Sequence, residues 1–425
     1  MAATALPTAT PSTDDPLATR YRRARAATVE FCAPLEPEDC VAQSMPDASP
    51  VKWHLAHTTW FYERFLLREH VRGYVPFDAA ADYLWNSYYE SVGPRQPRPE
   101  RGLLTRPTLR EVYAYREHID AAMVRWLERL DPDDAPPALA LGLAHEEQHR
   151  ELIATDVKHL LSRNPLHPAL RPGAAVAATA SAPPSRWLER SPGLVEVGAP
   201  AGAGRPFAFD NEGPRHPVWL TPHVLASRLV TCGEYAEFVR DGGYRRPELW
   251  LSDGWATVVQ QGWTRPLYWT EALDREFTFE GLVPIDPARP VCHVSAYEAD
   301  AYVRWAVARL PTEFEWEALA SEVPVAGHFA DSAELRPRVA SAGVPAQLYG
   351  DCWEWTSSAY SPYPGFRADV GALGEYNGKF MCNQLVLRGG SCATPPGHVR
   401  ASYRNFFPPH ARWQYAGIRL ARDLG

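Results

Sequence analysis

The sequence predicts an α+β protein of two domains, a helical N-terminal half followed by a mixed C-terminal half. In the first half, apolar residues recur at helical spacing, whereas in the second, short apolar runs alternate with Gly, Pro and Asp turns. The residues between the halves are rich in Pro, Ala and Ser, a composition typical of a linker. We therefore predict a helical domain over 1–162, a linker over 163–185 and a second domain over 186–425.

Four amphipathic helices in the first half predict a four-helix bundle. Their predicted spans are 14–33, 51–70, 108–130 and 133–162. Ser49 is expected to cap the second helix, with Pro50 at its first position, and Thr108 is expected to cap the third. Either Asp133 or Asp134 is expected to start the fourth.

The second half is predicted to be rich in loops, with modest regular structure. Short helices are predicted over 231–240 and 297–308, and strands near 218–221 and 386–388. Fifteen Trp, 19 Tyr and 41 Pro in the whole chain favour aromatic-lined cavities over a plain helical protein.

Bulk composition excludes several classes of protein. The chain has 425 residues, 45% hydrophobic and 22% charged, and a net charge of −8, which argues against disorder and against a surface that binds nucleic acid. No apolar run approaches the ~18 residues of a membrane span, and the N-terminus lacks the features of a signal peptide. The seven cysteines include no CxxC pair, which predicts a reduced, cytoplasmic protein.

Histidines carry the clearest chemical signal. His145 and His149 are ~40° apart round a helix, so that both imidazoles can reach one ion. On the second predicted helix, His54 and His57 differ by ~60°, and spacing alone does not choose between them. Three histidines from two helices would form a metal site with open coordination positions, which is typical of an enzyme.

Two polar residues accompany the pair on the fourth predicted helix. Gln148 lies ~60° from His145, on the side where it would touch a molecule bound at the ion. Glu151 lies roughly 200° from His149, so we expect it to orient a neighbour or form a salt bridge rather than bind the metal. A satisfied core histidine beside a surface histidine is the alternative interpretation of the pair.

The connection over 71–106 is long, irregular and rich in Pro, Tyr and Arg, and we interpret it as functional. Tyr88 and Tyr89 are adjacent there and would supply a phenol near a bound oxygen species. The arginines of this loop, among them Arg98 and Arg101, would clamp a substrate carboxylate. The alternative is a solvated basic loop with tyrosines packed beneath it.

A second aromatic pair stands near the C-terminus. Phe406 and Phe407 would form a wall for a quaternary ammonium group, with Asn405 as a polar contact. Core phenylalanines before a turn are the alternative interpretation.

Together these segments resemble the non-haem iron sulfoxide synthases of ergothioneine biosynthesis, from about residue 15 to 422. The stretch 145–151 matches that family's His-X3-His-X-Glu motif, and 49–60 matches its segment with the first histidine. The first half resembles a DinB-type bundle. The resemblance implies that His57, with His145 and His149, holds Fe(II), leaving positions for O2, a substrate imidazole and a thiol.

The second half resembles the formylglycine-generating-enzyme domain, a variant of the C-type-lectin fold. The matching stretches are 309–318, 350–356 and 387–391. True formylglycine generators carry a cysteine pair shortly after Gly-Gly-Ser, whereas here Cys392 has no second cysteine close behind it. The resemblance therefore implies a substrate-binding lid rather than formylglycine formation.

The family's main substrate is hercynine, the betaine of histidine. The resemblance implies that Phe406 and Phe407 face its trimethylammonium group, while Asn405 and Gln148 hold polar atoms. Members that use γ-glutamylcysteine carry Trp-Asp directly after Arg-Asn, and an Arg a few residues later. In this chain, Phe406 and Phe407 take the places of Trp and Asp, and Ala411 takes the place of that Arg. This resembles the branch that takes free cysteine, which implies that Tyr88 and Tyr89 occupy the active site and that Arg98 and Arg101 bind the donor carboxylate.

Three other functions stay open at this point. A close relative of the family joins selenium from a selenosugar to hercynine, and the sequence does not separate the donors. A DinB-type thiol transferase would use a divalent metal without O2, so anaerobic turnover would favour it. A non-catalytic lectin-like binding protein would use the bundle only as a scaffold, and failure to bind iron would favour that function.

Overall fold

The computed structural model describes residues 15–171, 181–200, 202, 205–332 and 334–424. The helices of the N-terminal half are α1 (Leu17–Cys32), α2 (Pro37–Val41), α3 (Val51–Tyr62), α4 (Arg68–His70), α5 (Ala81–Leu84), α6 (Leu109–Leu127) and α7 (Pro137–Ser162). The long helices α1, α3, α6 and α7 pack on one another as the predicted bundle. Part of the predicted linker, 172–180, lies outside the described residues.

Local hydrogen bonding explains where these helices begin. Thr108 caps α6 in a capping box with Glu111, as predicted. The predicted start of α7 is wrong, because Asp133 and Asp134 lie in a separate 3₁₀ turn and the helix begins only after Pro136. At the start of α3, the predicted capping residue and first helical residue each lie one residue too early.

At α3, Pro50 is the capping residue, with no side-chain cap, and Val51 is the first helical residue. Ser49 does not cap the helix because its polar groups bond elsewhere. Its backbone N–H donates to Asp156 on α7 at 2.8 Å, and its hydroxyl accepts from Arg101 at 2.9 Å. Tertiary partners have replaced the local cap.

Beyond α3, residues Glu63–Leu67 form a π-helical turn that leads into α4. The Glu63 side chain is fully buried there and accepts hydrogen bonds from the hydroxyls of Tyr74 and Tyr115 and from the backbone N–H of Phe77. These bonds tie the end of α3 to the following loop and to α6.

The C-terminal half mixes short helices with small sheets. Its helices are α8 (Cys232–Arg240), α9 (Ser252–Gln261), α10 (Ala296–Trp305) and α11 (Glu313–Ala320). Its strands are β1 (Trp187–Arg190), β2 (Gly193–Val197), β3 (His216–Leu220), β4 (His223–Ala226), β5 (Arg275–Thr278), β6 (Gly281–Pro284), β7 (Trp353–Ala359), β8 (Leu385–Arg388), β9 (Asn405–Phe407), β10 (Ala416–Gly417) and β11 (Ala421–Asp423). The predicted helices correspond to α8 and α10 and the predicted strands to β3 and β8, and the α+β fold class is confirmed.

The sheets are small and mostly antiparallel. The four-stranded sheet has the order β10-β7-β8-β9, with β10 parallel to β7. A three-stranded sheet has the order β1-β4-β11, and β2-β3 and β5-β6 form two-stranded ribbons. From this sheet, Trp353 of β7 reaches α7, where its Nε1 donates to Glu151.

The two halves meet along α7, where Glu151 is the main polar connection. Its carboxylate accepts hydrogen bonds from Trp353 Nε1 at 2.8 Å, Ser391 Oγ at 2.5 Å and Thr394 Oγ1 at 2.7 Å. All three donors belong to the C-terminal half, and Glu151 is buried. The expectation that Glu151 orients neighbours rather than joins the histidines agrees with these contacts.

Candidate metal centre

Three imidazoles converge between α3 and α7. One ring nitrogen each of His57, His145 and His149 lies within 4.8 Å of the others. The Nε2 atoms of His57 and His145 are 3.0 Å apart, and the rings of His145 and His149 are 4.5 Å apart between centroids. The structure therefore groups the histidines of the predicted pair with His57 rather than with His54.

Local contacts orient His57 toward the cluster. Its Nδ1 donates to the backbone carbonyl of Trp85 at 2.6 Å, which leaves Nε2 as the atom with a lone pair. The ring is stacked on Trp53, with centroids 4.5 Å apart and an angle of 13° between planes. Trp85 belongs to the loop over 71–106, so this loop supports the centre directly.

Burial keeps the three imidazoles neutral. Desolvation lowers the pKa of His145 to about 3 and holds the pKa values of His57 and His149 well below their usual range. Within the described chain, His145 Nδ1 is buried without a hydrogen-bond partner. Neutral nitrogen ligands at a buried site suit a divalent transition metal, so the donor set fits Fe(II).

Gln148 starts a hydrogen-bonded chain that runs into the C-terminal half. Its Nε2 donates to the Tyr403 hydroxyl at 2.8 Å, and its Oε1 accepts from the Tyr376 hydroxyl. The Tyr403 hydroxyl also contacts His398 Nε2 at 3.1 Å, and His398 Nδ1 lies 2.8 Å from the Glu147 carboxylate. This series of hydrogen bonds places the Oε1 end of the Gln148 amide toward Tyr376 and the Nε2 end toward Tyr403.

Tyr376 contacts the cluster from the C-terminal half and was not among the residues predicted from the sequence. Its ring lies 5.8 Å from that of His145 and is stacked on Phe209 at 5.6 Å. It follows the 3₁₀ turn Ala372–Glu375, in a Gly-rich stretch without periodicity. Such a long irregular connection was a signal for function in the loop over 71–106, and the same signal applied here.

The predicted tyrosines lie beside the cluster but face different neighbours. Tyr89 is fully buried against Trp60 and Phe65. The ring of Tyr88 lies 4.7 Å from that of Tyr89, tilted by 32°, and 6.2 Å from that of Tyr376. Burial raises the pKa of both phenols, so each keeps its proton at neutral pH.

The two arginines predicted to bind a carboxylate have different surroundings. Arg98 is exposed, whereas Arg101 is buried with its guanidinium 3.3 Å from the ring centroid of Trp53. Arg101 donates to Ser49, and no carboxylate of the described residues hydrogen-bonds to it. Burial, and next the neighbouring Arg98, lower the pKa of Arg101, and the charge of Asp156 offsets this only in part.

The residues of β9 point to opposite faces, as successive strand residues do. Phe406 is stacked on Tyr360 at 4.1 Å and lies 6.0 Å from Phe380, whose ring in turn contacts Tyr88. Phe407 packs on Trp413 at 5.8 Å, on the other face. Asn405 accepts a hydrogen bond from the next backbone N–H. The two phenylalanines therefore do not form one continuous wall.

A cleft of about 590 Å³ opens near Tyr89, between the bundle and the segment around Leu373. Phe65 lines it and contacts both Tyr89 and Phe61, and Phe61 packs on His145 at 4.6 Å. The aromatic pair Phe61–Phe65 thus separates the cleft from the histidines.

Comparison with known proteins follows this division into halves. Residues 20–153 match the DinB superfamily, and residues 187–343 and 339–424 match the sulfatase-modifying factor enzyme 1-like domain. Over 414 residues the chain is 34% identical to a hercynine oxygenase of Mycolicibacterium smegmatis, covering 90% of this chain and 93% of that protein. The chain belongs to the hercynine oxygenase family.

Other members and relatives agree with this placement in the hercynine oxygenase family. The protein named hercynine oxygenase from Mycobacterium tuberculosis is 32% identical over 442 residues, which cover 96% of this chain and 99% of that protein. Ergothioneine biosynthesis protein 1 of Schizosaccharomyces pombe is 25% identical over 229 residues, 51% of this chain and 28% of its own length.

Two further findings bear on the sequence predictions. Across the described part of the chain, no helix is both long and apolar enough to cross a membrane. All seven cysteines are free thiols, and Cys392 is buried. The DinB-like and formylglycine-generating-enzyme-like halves are confirmed, whereas the roles of individual site residues stay predictions.

Proposed function

We propose that this chain joins the sulfur of a thiol to the imidazole C2 of hercynine and oxidises that sulfur to a sulfoxide, using O2 and Fe(II), in ergothioneine biosynthesis. In the balanced reaction, thiol and imidazole each lose one hydrogen, a C–S bond forms, and O2 supplies one oxygen to sulfur and one to water. The carrying observation is the cluster of His57, His145 and His149 in a member of the hercynine oxygenase family. A cytoplasmic location is part of the proposal.

The three histidines would hold Fe(II) as neutral ligands, leaving the remaining coordination positions to the reactants. Iron bound there supplies Lewis acidity and redox chemistry for the use of O2. Gln148 stands beside the cluster with its amide fixed by Tyr403 and Tyr376. A fixed amide is suited to orient an imidazole ring, which presents one donor and one acceptor.

A tyrosine hydroxyl would deliver a proton while O2 is reduced, favouring C–S coupling over oxidation of the thiol alone. Tyr88 and Tyr89 were predicted for this role, and Tyr376 joins them because its ring contacts His145. All three phenols have raised pKa values and therefore hold their protons.

The thiol donor we propose is cysteine. Arg101 supports a donor that carries a carboxylate, because it is a buried cation that no carboxylate of the described residues hydrogen-bonds. A donor carboxylate near Arg98 and Arg101 would pair with the positive charge of Arg101. Asn405, Phe406 and Phe407 are proposed to contact hercynine. Phe406 is connected to Tyr88 by ring contacts, because Phe380 contacts both of them.

The test is aerobic turnover of the Fe(II)-loaded protein with hercynine and, in parallel, cysteine, γ-glutamylcysteine or a selenosugar, read by mass spectrometry. A cysteine–hercynine sulfoxide as main product supports the proposal and the donor together. A selenium adduct would change the function to selenoneine assembly. Thiol transfer without O2 would favour a DinB-type transferase, and no adduct despite bound iron would contradict the proposal.

A further inference from the structure

His54 lies behind the candidate metal centre and is joined to it by short contacts. Its Nδ1 is 2.8 Å from Nδ1 of His149, and its Nε2 is 3.1 Å from Oδ2 of Asp156. All three side chains are buried, at 8% exposure or less. Asp156 is two helical turns beyond His149 on α7, so that both residues face α3 on the same side.

These contacts determine where the protons are. A carboxylate only accepts hydrogen bonds, so His54 carries its proton on Nε2, toward Asp156. Nδ1 of a neutral His54 is then a lone pair, and the contact with His149 requires His149 to donate from its own Nδ1. His149 is left with a lone pair on Nε2, the nitrogen that a metal between the three histidines would need.

The carboxylate of Asp156 is itself fixed from both halves of the protein. Oδ2 also accepts from the backbone N–H of Ser49 at 2.8 Å, and Oδ1 accepts from Trp413 Nε1 at 3.2 Å. Ser49 precedes α3, whereas Trp413 belongs to the C-terminal half. Each oxygen therefore has a donor that prevents the carboxylate from turning away from His54.

We propose that His54 and Asp156 are positioning residues that hold His149 in the tautomer and orientation required of a metal ligand. For His57, the carbonyl of Trp85 does the same. Contacts of this kind behind a metal ligand typically change metal affinity by 10–100-fold. The inference rests on the proposed metal centre but not on the identity of the substrates.

The test compares Co(II) affinities, measured by competition with a chelator and by the visible absorption of the bound ion, at fixed pH. His54→Phe keeps a ring but removes the acceptor, and we expect affinity to fall by about 10–100-fold. His54→Asn returns an acceptor oxygen near the position of Nδ1, and we expect affinity within about threefold of the wild type. His159→Phe is the control, because His159 is a buried histidine on α7, the helix of His149, and contacts Ser44 instead.

Wild-type affinity in His54→Phe, or an Asn variant no better than the Phe variant, would overturn the proposal. A second measurement needs no variant: ¹⁵N–¹H correlation spectra of histidine-labelled, metal-free protein should show His149 protonated on Nδ1 and His54 on Nε2. The opposite tautomers would overturn it. Failure of the wild type to bind Co(II) would instead contradict the metal centre itself.

Discussion

Removing the carboxylate of Glu151 tests how strongly the two halves are joined. In Glu151→Ala, the donors on Trp353, Ser391 and Thr394 lose a shared acceptor in a buried place. Hydrogen bonds to a charged group contribute about 1.5–3 kcal/mol each, while the variant no longer has to bury a charge, which returns several kcal/mol. We expect a net loss of about 4 kcal/mol in the free energy of unfolding.

With an unfolding entropy of about 2.1 cal/mol/K per residue, that loss corresponds to a melting temperature lower by roughly 4–5 °C for 425 residues, measured by calorimetry on metal-free protein. Glu151→Gln keeps one acceptor oxygen and should lose about half as much. Glu128→Gln is the control, because Glu128 pairs with Arg22 at the surface and its loss should cost at most about 0.5 kcal/mol. If Glu151→Ala melts within about 2 °C of the wild type, the reasoning about this contact is wrong.

Three further outcomes are expected. Glu146→Ala should lower stability in urea by about 3–5 kcal/mol, since it strips Arg25 and Arg116 of a buried partner; an unchanged midpoint would contradict this. Tyr376→Phe should reduce sulfoxide formation at least about tenfold while Co(II) still binds; equal rates would exclude its hydroxyl from proton delivery. Burial lowers the pKa of His159 from 6.5 to about 4, so the unfolded chain binds the proton first and stability falls as pH drops below 6.5. His159→Gln should remove about 2 kcal/mol of the wild type's loss between pH 7 and pH 5, and an identical pH dependence would refute that assignment.

Sequence patterns predicted the elements whose determinants are local. Thr108 and Glu111 satisfy each other within one turn, so the start of α6 could be read directly. The starts of α3 and α7 were mislocated for different reasons. Ser49 bonds distant residues, and around Asp133 a tight turn closed by Asp131 competes with the helix. Local sequence patterns rank possible capping residues but contain no information on hydrogen bonds to residues distant in sequence.

The candidate site divides in the same way. The pair His145 and His149 follows from helical spacing, but a difference of ~60° could not separate His54 from His57. Both face α7 in the structure, one within the cluster and one behind it. Tyr376 comes from an irregular segment that approaches the histidines only when the halves dock, and no local pattern encodes such a contact.

The three histidines of the cluster all come from the bundle, whereas Tyr376, whose ring contacts His145, comes from the other half. The bundle and the C-terminal half can therefore diverge separately in evolution. If the proposed roles hold, replacements around Phe406 or Tyr376 would change which molecule is accepted and leave the three histidines in place. A chimera that keeps α3 and α7 and borrows the C-terminal half of a relative would be a direct way to exchange selectivity, provided that the borrowed half retains partners for Glu151 and Asp156.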